Sequence, residues 1–397
     1  MSDQPAVVRE GPLAEIVVDV AAIRHNVRVL RELVGVPLIA VVKADGYGHG
    51  MVEAARAARD GGAEWLATAT VDEALTLRAS GYAGPLLCWL MLPGVDLERP
   101  LLEGIDVTAY SVAGIDVTAY SVAELDAIAA AAEAVGRRAR VQLKVDTGLS
   151  RGGAPRSTWA DLFARARAGE REGSWKVTGL WSHFACSDEP DHPANDRQER
   201  AFLAAVALAA DSGLEPGLLH LANSAAAVLR PSSRFGAVRC GIAVYGLDPA
   251  PGRTPDLGLV PAMTVRTRLA LVKELAPGDG VSYGHRWVAD RPTTVGLVPV
   301  GYGDGIPRHA FHPGGSAEVA VGGKRRPIRG SVCMDQVMVD LGGDTAAIGD
   351  EVVLFGSGPG VPTAQDWAEA CGTINYEIVT RIGGRMTRTY VDSEADR

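Results

Sequence analysis

Lys43 follows a short apolar run, Leu38-Ile39-Ala40-Val41-Val42, and leads into Ala44-Asp45-Gly46-Tyr47-Gly48-His49-Gly50. A lysine amine in a semi-enclosed site can form a Schiff base with an aldehyde. Further reactive or polar groups stand behind other apolar runs. They are Lys144 and Arg151 in KVDTGLSRG, His183 after Ser182, Asn223 and Ser224 after His220-Leu221-Ala222, and Arg239 ahead of Cys240-Gly241-Ile242. Taken singly, each has a plain structural reading: His183 as a hydrogen-bonded core histidine, Arg151 as a surface cation, Ser224 as a helix cap. Polar groups converging at one end of several strands are harder to explain in that way, because burying them unpaired costs several kcal/mol.

Elements that could bring them together are visible in the hydropathy pattern. Strand candidates lie at 38 to 42, 64 to 67, 85 to 90, 141 to 145, 177 to 182, 218 to 221 and 237 to 244, with Ala-rich amphipathic stretches between most of them. Asp19 can cap a helix from Val20 to Leu33, and Val52 to Arg59 reads as another. With one more strand between 105 and 120, the pattern makes eight strand-helix units in about 250 residues, the size of a (β/α)8 TIM barrel. The active site of such a barrel is built from the loops after its strands, and phosphate typically sits at the loops after strands 7 and 8. Ser224, the backbone N–H groups around Gly241 and Ile242, and the Tyr47 hydroxyl could meet a phosphate there. An aldehyde joined to a phosphate is pyridoxal 5′-phosphate.

The ten residues GIDVTAYSVA occur twice in succession across 104 to 123. Structural repeats have units of about 20 residues or more, so this reads as a local duplication or a sequence artefact. A barrel position accepts one strand, and Ser121-Val122-Ala123 runs directly into the helical Glu124 to Ala134. The second copy is therefore expected to be the strand and the first to be extruded.

Beyond Leu247 the texture changes. Pro249, Pro251, Gly252, Pro255, Gly258 and Pro261 form a breaker-rich linker. Short β-rich segments follow at 263 to 273, 294 to 300, 317 to 321, 337 to 340 and 351 to 355, with helical insertions at 366 to 371 and 374 to 381. The expected organisation is a barrel over 12–248 followed by a mainly β domain over 256–390. Net charge −9 removes the basic footprint of a nucleic-acid binder. The polar start and the lack of a long apolar run lead to the expectation of a cytoplasmic protein. Five dispersed cysteines without CxxC pairing argue against a disulfide framework and a structural metal site.

The stretches AVVKADGYGHG, KVDTGLSRGG, HFACSDE, LANS, VRCGIAVYGL, VSYGHR, VGYGDGIPR, GSVCMDQVMVD and INYEI, in this order from residue 38 to 378, resemble the pyridoxal-phosphate-dependent alanine racemases. The resemblance implies a barrel, a C-terminal β domain to which residues 1–18 can add a strand, and a head-to-tail homodimer whose sites use both subunits. It implies interconversion of L- and D-alanine, with D-alanine serving peptidoglycan synthesis. Residue by residue, Lys43 is similar to the Schiff-base lysine and one catalytic base, and Tyr283 to the opposing base supplied by the partner. Inverting a stereocentre by removing a proton from one face and returning one to the other suits two opposed bases. Arg239 resembles the residue that donates to the ring nitrogen, and a guanidinium there leaves that nitrogen unprotonated. His183 resembles the residue beside the ring, Arg151 the one near the phenolic oxygen and substrate carboxylate, and Met334 a partner residue whose backbone N–H helps hold that carboxylate. Tyr47, Asn223, Ser224, Gly241, Ile242 and Tyr376 fall at cofactor-binding positions. Tyr302 and Tyr376 resemble an aromatic gate, with Asp188 and Arg308 at the entrance, and Lys144 matches a lysine carbamylated in some members.

Two features depart from the family pattern: the tandem decapeptide, and Ser331, where many members have an arginine lining the entry corridor. Rival readings are a barrel-type decarboxylase, which would pair the ring nitrogen with a carboxylate, and a non-enzymatic cofactor-binding barrel. The first is opposed by Arg239 and Tyr283; the second leaves the domain carrying Tyr283 and Met334 without a purpose.

Overall fold

The computed structural model describes residues 11–91, 94–102 and 115–393. The chain divides into two compact units, one spanning Ala21–Val260 and the other combining the chain up to Val20 with the chain from Pro261 onward. Strand β1 (Ala14–Asp19) precedes the helix Val20–Val34. Eight strands then follow within the first unit: β2 (Leu38–Val41), β3 (Trp65–Thr70), β4 (Leu86–Leu90), β5 (Ile115–Ala119), β6 (Ala139–Lys144), β7 (Trp175–Trp181), β8 (Leu218–His220) and β9 (Val238–Cys240). They form one sheet in the order β8-β7-β6-β5-β4-β3-β2-β9, and every ladder is parallel. An isolated bridge between His220 and Ala237, with Arg239 N–H donating to the Ala222 carbonyl at 2.9 Å, brings β8 and β9 together and closes the ring.

Parallel strands covered on both faces are expected to be apolar throughout, and β2 and β5 are buried at every position. β5 lies in the second copy of the decapeptide. It leads into the helix Val122–Val135, whose N-cap Ser121 accepts from the Glu124 N–H. The first copy lies outside the described residues. The last barrel strand, expected to run from 237 to 244, stops at Cys240. Gly241 takes φ −106° and ψ −93°, outside the strand region, and turns the chain into the 3-10 segment Ile242–Tyr245. Asn26, buried on the helix Val20–Val34, donates to the Val244 and Val260 carbonyls at 3.1 and 2.9 Å and accepts from Val260 N–H at 2.8 Å. One side chain thus fastens both ends of the breaker-rich linker to the unit that precedes it.

The second unit is built on a nine-stranded sheet. β1 belongs here rather than to a barrel beginning at residue 12. It pairs antiparallel with Met263–Arg268 and parallel with Thr387–Val391. Its alternating burial, with Ala14, Ile16 and Val18 inward, suits a sheet with one covered face and not a barrel strand. The expected segment 263 to 273 is two strands, Met263–Arg268 and Leu271–Leu275, which pair with different neighbours. Strands Lys324–Arg329, half arginine, and Thr387–Val391 were not anticipated from hydropathy.

Within the barrel, the helix Trp159–Glu172 lies against Trp175, whose indole N–H donates to the Ala166 carbonyl at 2.8 Å. A Cβ on Gly169 would collide with that indole ring. Gly169→Ala gains up to about 1 kcal/mol of helix propensity, but the overpacking costs about 1–3 kcal/mol. The clash is expected to win, so thermal unfolding of Gly169→Ala falls below wild type; an increase would contradict this packing account.

Candidate active site

Lys43 enters the strand-end face of the barrel at the head of an unusual turn. Ala44 and Asp45 both have φ 52°, Gly46 has φ 63° and Tyr47 φ 53°, a left-handed turn made largely of residues with a Cβ. Each such residue costs about 1–2 kcal/mol, so the turn persists only because its surroundings fix it. Glu73 is the principal clamp: its carboxylate accepts from Ala44 N–H at 2.7 Å, and from Ala69 and Thr70 N–H at 2.9 and 3.1 Å. Further bonds run from Gly46 N–H to Val42, from Gly50 N–H to Asp45, and from Met51 N–H to the Asp45 carboxylate, at 2.9, 2.8 and 2.9 Å. Strain held at such a point commonly marks a functional site. Here it directs Lys43 toward Trp89, with Nζ 5.5 Å from the ring centroid.

Lys43, Lys144, Arg151 and Arg239 influence one another electrostatically. Burial and the Arg151 cation lower the Lys43 amine, partly opposed by Glu73. Burial, then Arg239 and Arg151, bring Lys144 down to about 8. Burial brings Arg239 down to about 9, still cationic at neutral pH. Trp181 lies among them, with Lys144 Nζ 4.4 Å and the Arg239 guanidinium carbon 4.7 Å from the ring. Its π face offsets part of the cost of gathering cations in a desolvated place.

Arg239 is held on two of its three nitrogens. Nη1 donates to His220 Nδ1 at 2.7 Å and to the His220 carbonyl at 3.1 Å. Nη2 donates to the Ser182 carbonyl at 2.7 Å, to the Leu221 carbonyl at 3.1 Å and to His183 Nδ1 at 3.1 Å. Its Nε–H has no partner among the described residues, so this donor remains for a ligand atom. His183 lies well below the usual histidine range because of burial and then the Arg239, Arg151, Lys144 and Lys43 cations. It is a neutral ring that accepts from Arg239.

The residues expected to meet a phosphate lie close together. Gly241 N–H donates to Ser224 Oγ at 2.9 Å, and a Cβ on Gly241 would collide with the Tyr47 hydroxyl. Ser224 opens the helix Ser224–Leu229, capped by Asn223, which accepts from Ala226 N–H at 3.1 Å and from Ser187 Oγ at 2.9 Å. Buried Ile242 follows. A convergent cationic face beside a cradle that only glycine allows fits a phosphorylated, anionic aldehyde. The free Nε–H of Arg239 fits a ring nitrogen that accepts a hydrogen bond. Asp188, expected at the entrance, is exposed on this unit.

The remaining expected residues belong to the second unit. Tyr283 is 74% exposed, yet its backbone is fixed. Ser282, at φ 61°, donates through Oγ to the Ser331 carbonyl at 2.6 Å, and Ser331 Oγ donates to the Tyr283 carbonyl at 2.8 Å. Ser331 is 9% exposed and turned toward the Tyr283 loop, so its hydroxyl braces that loop. The same segment continues to Cys333 and Met334, whose carbonyls accept from Tyr302 and Gly303 N–H at 3.0 and 2.9 Å. One loop thereby positions Tyr283, Met334 and Tyr302. Arg308 lies in the 3-10 turn Arg308–Ala310, and Tyr376 is half-buried in the helix Asn375–Arg381.

Sequence reasoning did not single out Glu73, Trp89, Trp181, Gln142 or Asp116. Glu73 had a visible signal, since Thr70 and Glu73 form the S/T-x-x-E capping box, and both of its hydrogen bonds are present. Among the described residues no group of three or more His, Cys, Asp or Glu could hold a metal ion, and no helix is long and apolar enough to cross a membrane.

Comparison with known proteins matches residues 18–249 to the family "Alanine racemase, N-terminal domain" and residues 262–390 to "Alanine racemase, C-terminal domain". An alanine racemase of Salinispora arenicola is 52% identical over 379 residues, covering 95% of this chain and 98% of that protein. The crystal structure of alanine racemase from D-cycloserine-producing Streptomyces lavendulae superposes with a TM-score of 0.91 at 48% identity, covering 96% of this chain and 98% of that one. The alanine racemase of Bacillus anthracis, solved with bound L-Ala-P, gives 0.85 at 32% identity, covering 97% and 96%. With both halves matched and the barrel's strand-end residues in place, the chain belongs to the alanine racemase family.

Proposed function

We propose that the chain interconverts L- and D-alanine with pyridoxal 5′-phosphate, using Lys43 and Tyr283 as opposed bases in a site completed by a second subunit. The observation that carries this reading is the Arg239 guanidinium, locked by five hydrogen bonds with Nε–H left over, beside a lysine at the head of a clamped turn. When bound, the cofactor supplies an electron-withdrawing ring that acidifies the substrate Cα–H. Ser224, Asn223, Gly241, Ile242 and Tyr47 would hold its phosphate, and the Lys43 amine would hold its aldehyde group. Arg239 donates to the ring nitrogen without protonating it. By leaving that nitrogen unprotonated, Arg239 would favour return of the proton at Cα.

Lys43 and Tyr283 then move a proton at Cα from opposite faces. Lowering of the Lys43 amine by burial and by Arg151 makes it a better base near neutrality. Arg151 orients the substrate carboxylate, with help from the backbone N–H of Met334 of the partner subunit. Tyr302 and Tyr376 limit side-chain size, and Asp188 and Arg308 flank the entrance. Lys144, brought down to about 8 beside two arginines, is suited to carbamylation, because the neutral amine reacts with CO2 and the resulting anion would orient Arg151. The second subunit is supported by the exposure of Tyr283, Tyr302 and Met334, at 74%, 41% and 53%, on the second unit.

Purified protein supplied with the cofactor should convert L-alanine to a racemate. Formation of ethylamine instead would establish a decarboxylase, and no change in alanine a binding protein. Lys43→Ala should abolish the cofactor's absorbance near ~420 nm; retention of that absorbance would overturn the assignment of the lysine. For the composite site, inactive Lys43→Ala and Tyr283→Ala proteins are mixed and allowed to exchange subunits. A head-to-tail dimer regenerates one intact site in each mixed pair, so activity recovers to about a quarter of wild type. Continued inactivity after demonstrated exchange would place both bases in one chain.

Lys144 gives a pH test in CO2-free buffer. Its folded value near 8 lies below its ordinary 10.5, so the unfolded chain binds the extra proton between those values and stability falls as pH drops from about 10.5 toward 8. Lys144→Met should therefore stabilise the chain at pH 7, by roughly 1–3 kcal/mol relative to its effect at pH 10.5. Equal effects at the two pH values would contradict the assignment. Bicarbonate should raise the melting temperature of wild type and leave that of Lys144→Met unchanged.

A further inference from the structure

Behind Arg239 a line of side chains crosses the barrel interior. Arg239 Nη1 donates to His220 Nδ1 at 2.7 Å, and His220 Nε2 lies 2.6 Å from Gln142 Oε1. Gln142 Nε2 lies 2.8 Å from Asp116 Oδ2, which also accepts from Thr178 Oγ1 at 2.6 Å. Arg140 closes the far end on the Asp116 carboxylate. His220, Gln142 and Asp116 are each 0% exposed.

Every bond in this line has one permitted direction. A guanidinium donates only, so His220 Nδ1 must be the acceptor, and its proton must lie on Nε2. That N–H can donate only to the Gln142 carbonyl, which turns the Gln142 amide N–H toward Asp116, an acceptor when ionised. His220 lies well below the usual histidine range because of burial and the neighbouring Arg239, which agrees with a neutral ring. The backbone makes room for the arrangement. The β6–β7 register shifts between Val141 and Gln142, and Gly179 stands opposite, where a Cβ would press against the Gln142 amide. A bulge that re-aims one side chain is a device rather than a defect.

We propose that His220, Gln142 and Asp116 are positioning residues for Arg239, forming a one-way hydrogen-bond relay that anchors the guanidinium to a buried carboxylate and fixes where its Nε–H points. The group that this N–H meets is the cofactor ring nitrogen, and that part rests on the proposed racemase reading. The relay touches neither substrate nor cofactor. It also gives the second decapeptide copy a task, since Asp116 comes from it.

Neutron diffraction from crystals of the full chain tests the relay without reference to activity. Hydrogen should appear on His220 Nε2 and be absent from Nδ1; hydrogen on Nδ1, or on both nitrogens, overturns the proposal. Gln142→Leu and Asp116→Asn test the link to chemistry, with Thr118→Val as control. Thr118 lies on the same strand, fully buried, and its hydroxyl has no partner among the described residues. Losing a buried charge-assisted bond is expected to lower kcat for alanine by roughly tenfold or more, with KM little changed because Arg151 is untouched, and to shift the absorbance maximum of the bound cofactor. Thr118→Val should leave all three unchanged. Folded relay variants with wild-type kcat and absorbance would overturn the positioning role. If Gln142→Leu does not fold, Asp116→Asn keeps the side chain's shape and carries the same comparison. Should the wild type leave alanine unracemised, the functional reading fails, while the neutron result still decides the relay.

Discussion

Four cationic side chains, Lys43, Lys144, Arg151 and Arg239, share the strand-end face of one barrel, and the rest of the site follows from how that charge is accommodated. Gathering cations away from water is unfavourable unless hydrogen bonds, π faces or an anion offset it. Two of the three Arg239 nitrogens are satisfied by carbonyls and two neutral imidazole rings, and Trp181 lies against both Arg239 and Lys144. The charge that remains is complementary to a phosphorylated cofactor and a carboxylate substrate. Burial, and after it the neighbouring cations, lower the two lysines, as the proposed lysine base and the proposed carbamylation site each require.

The second constraint is conformational. A left-handed turn at Ala44, Asp45 and Tyr47 would relax in isolation. Glu73, itself fixed by a capping box one strand away, holds it in place. On the second unit Ser331 and Ser282 brace the Tyr283 loop in a comparable way, with positive φ at Ser282. Both proposed bases therefore sit on strained backbone whose clamps come from distant sequence, as preorganised chemistry requires.

Much of this was legible from sequence. The eight parallel strands follow from branched apolar runs too short for helices, and the polar residues stand out because they recur at the same end of five strands. The duplicated decapeptide placed its strand through the run of Ser121 into a helix. Other features left weaker traces. β1 looks like an entry to the barrel until its pairing with Met263–Arg268 is known, since alternation tells which face is covered but not by what. The break after Cys240 depends on one glycine's dihedral angles, and Lys324–Arg329 is hidden because its arginines face outward or form ion pairs. Gln142 and Asp116 were invisible for a different reason: polar residues inside apolar strands gain meaning only when residues far apart in sequence are shown to be hydrogen-bonded.

The central claim is that two bases act on opposite faces of Cα. It is tested most directly by following L-alanine in D2O with the cofactor-loaded protein at early times, resolving the two enantiomers and their Cα deuterium by chiral separation and mass spectrometry. The account predicts that newly formed D-alanine carries deuterium at Cα while unconverted L-alanine retains mostly protium, because the proton removed by one base is not the one returned by the other. Newly formed D-alanine that retains the original protium would mean that a single group carries the proton between faces, and would contradict the account.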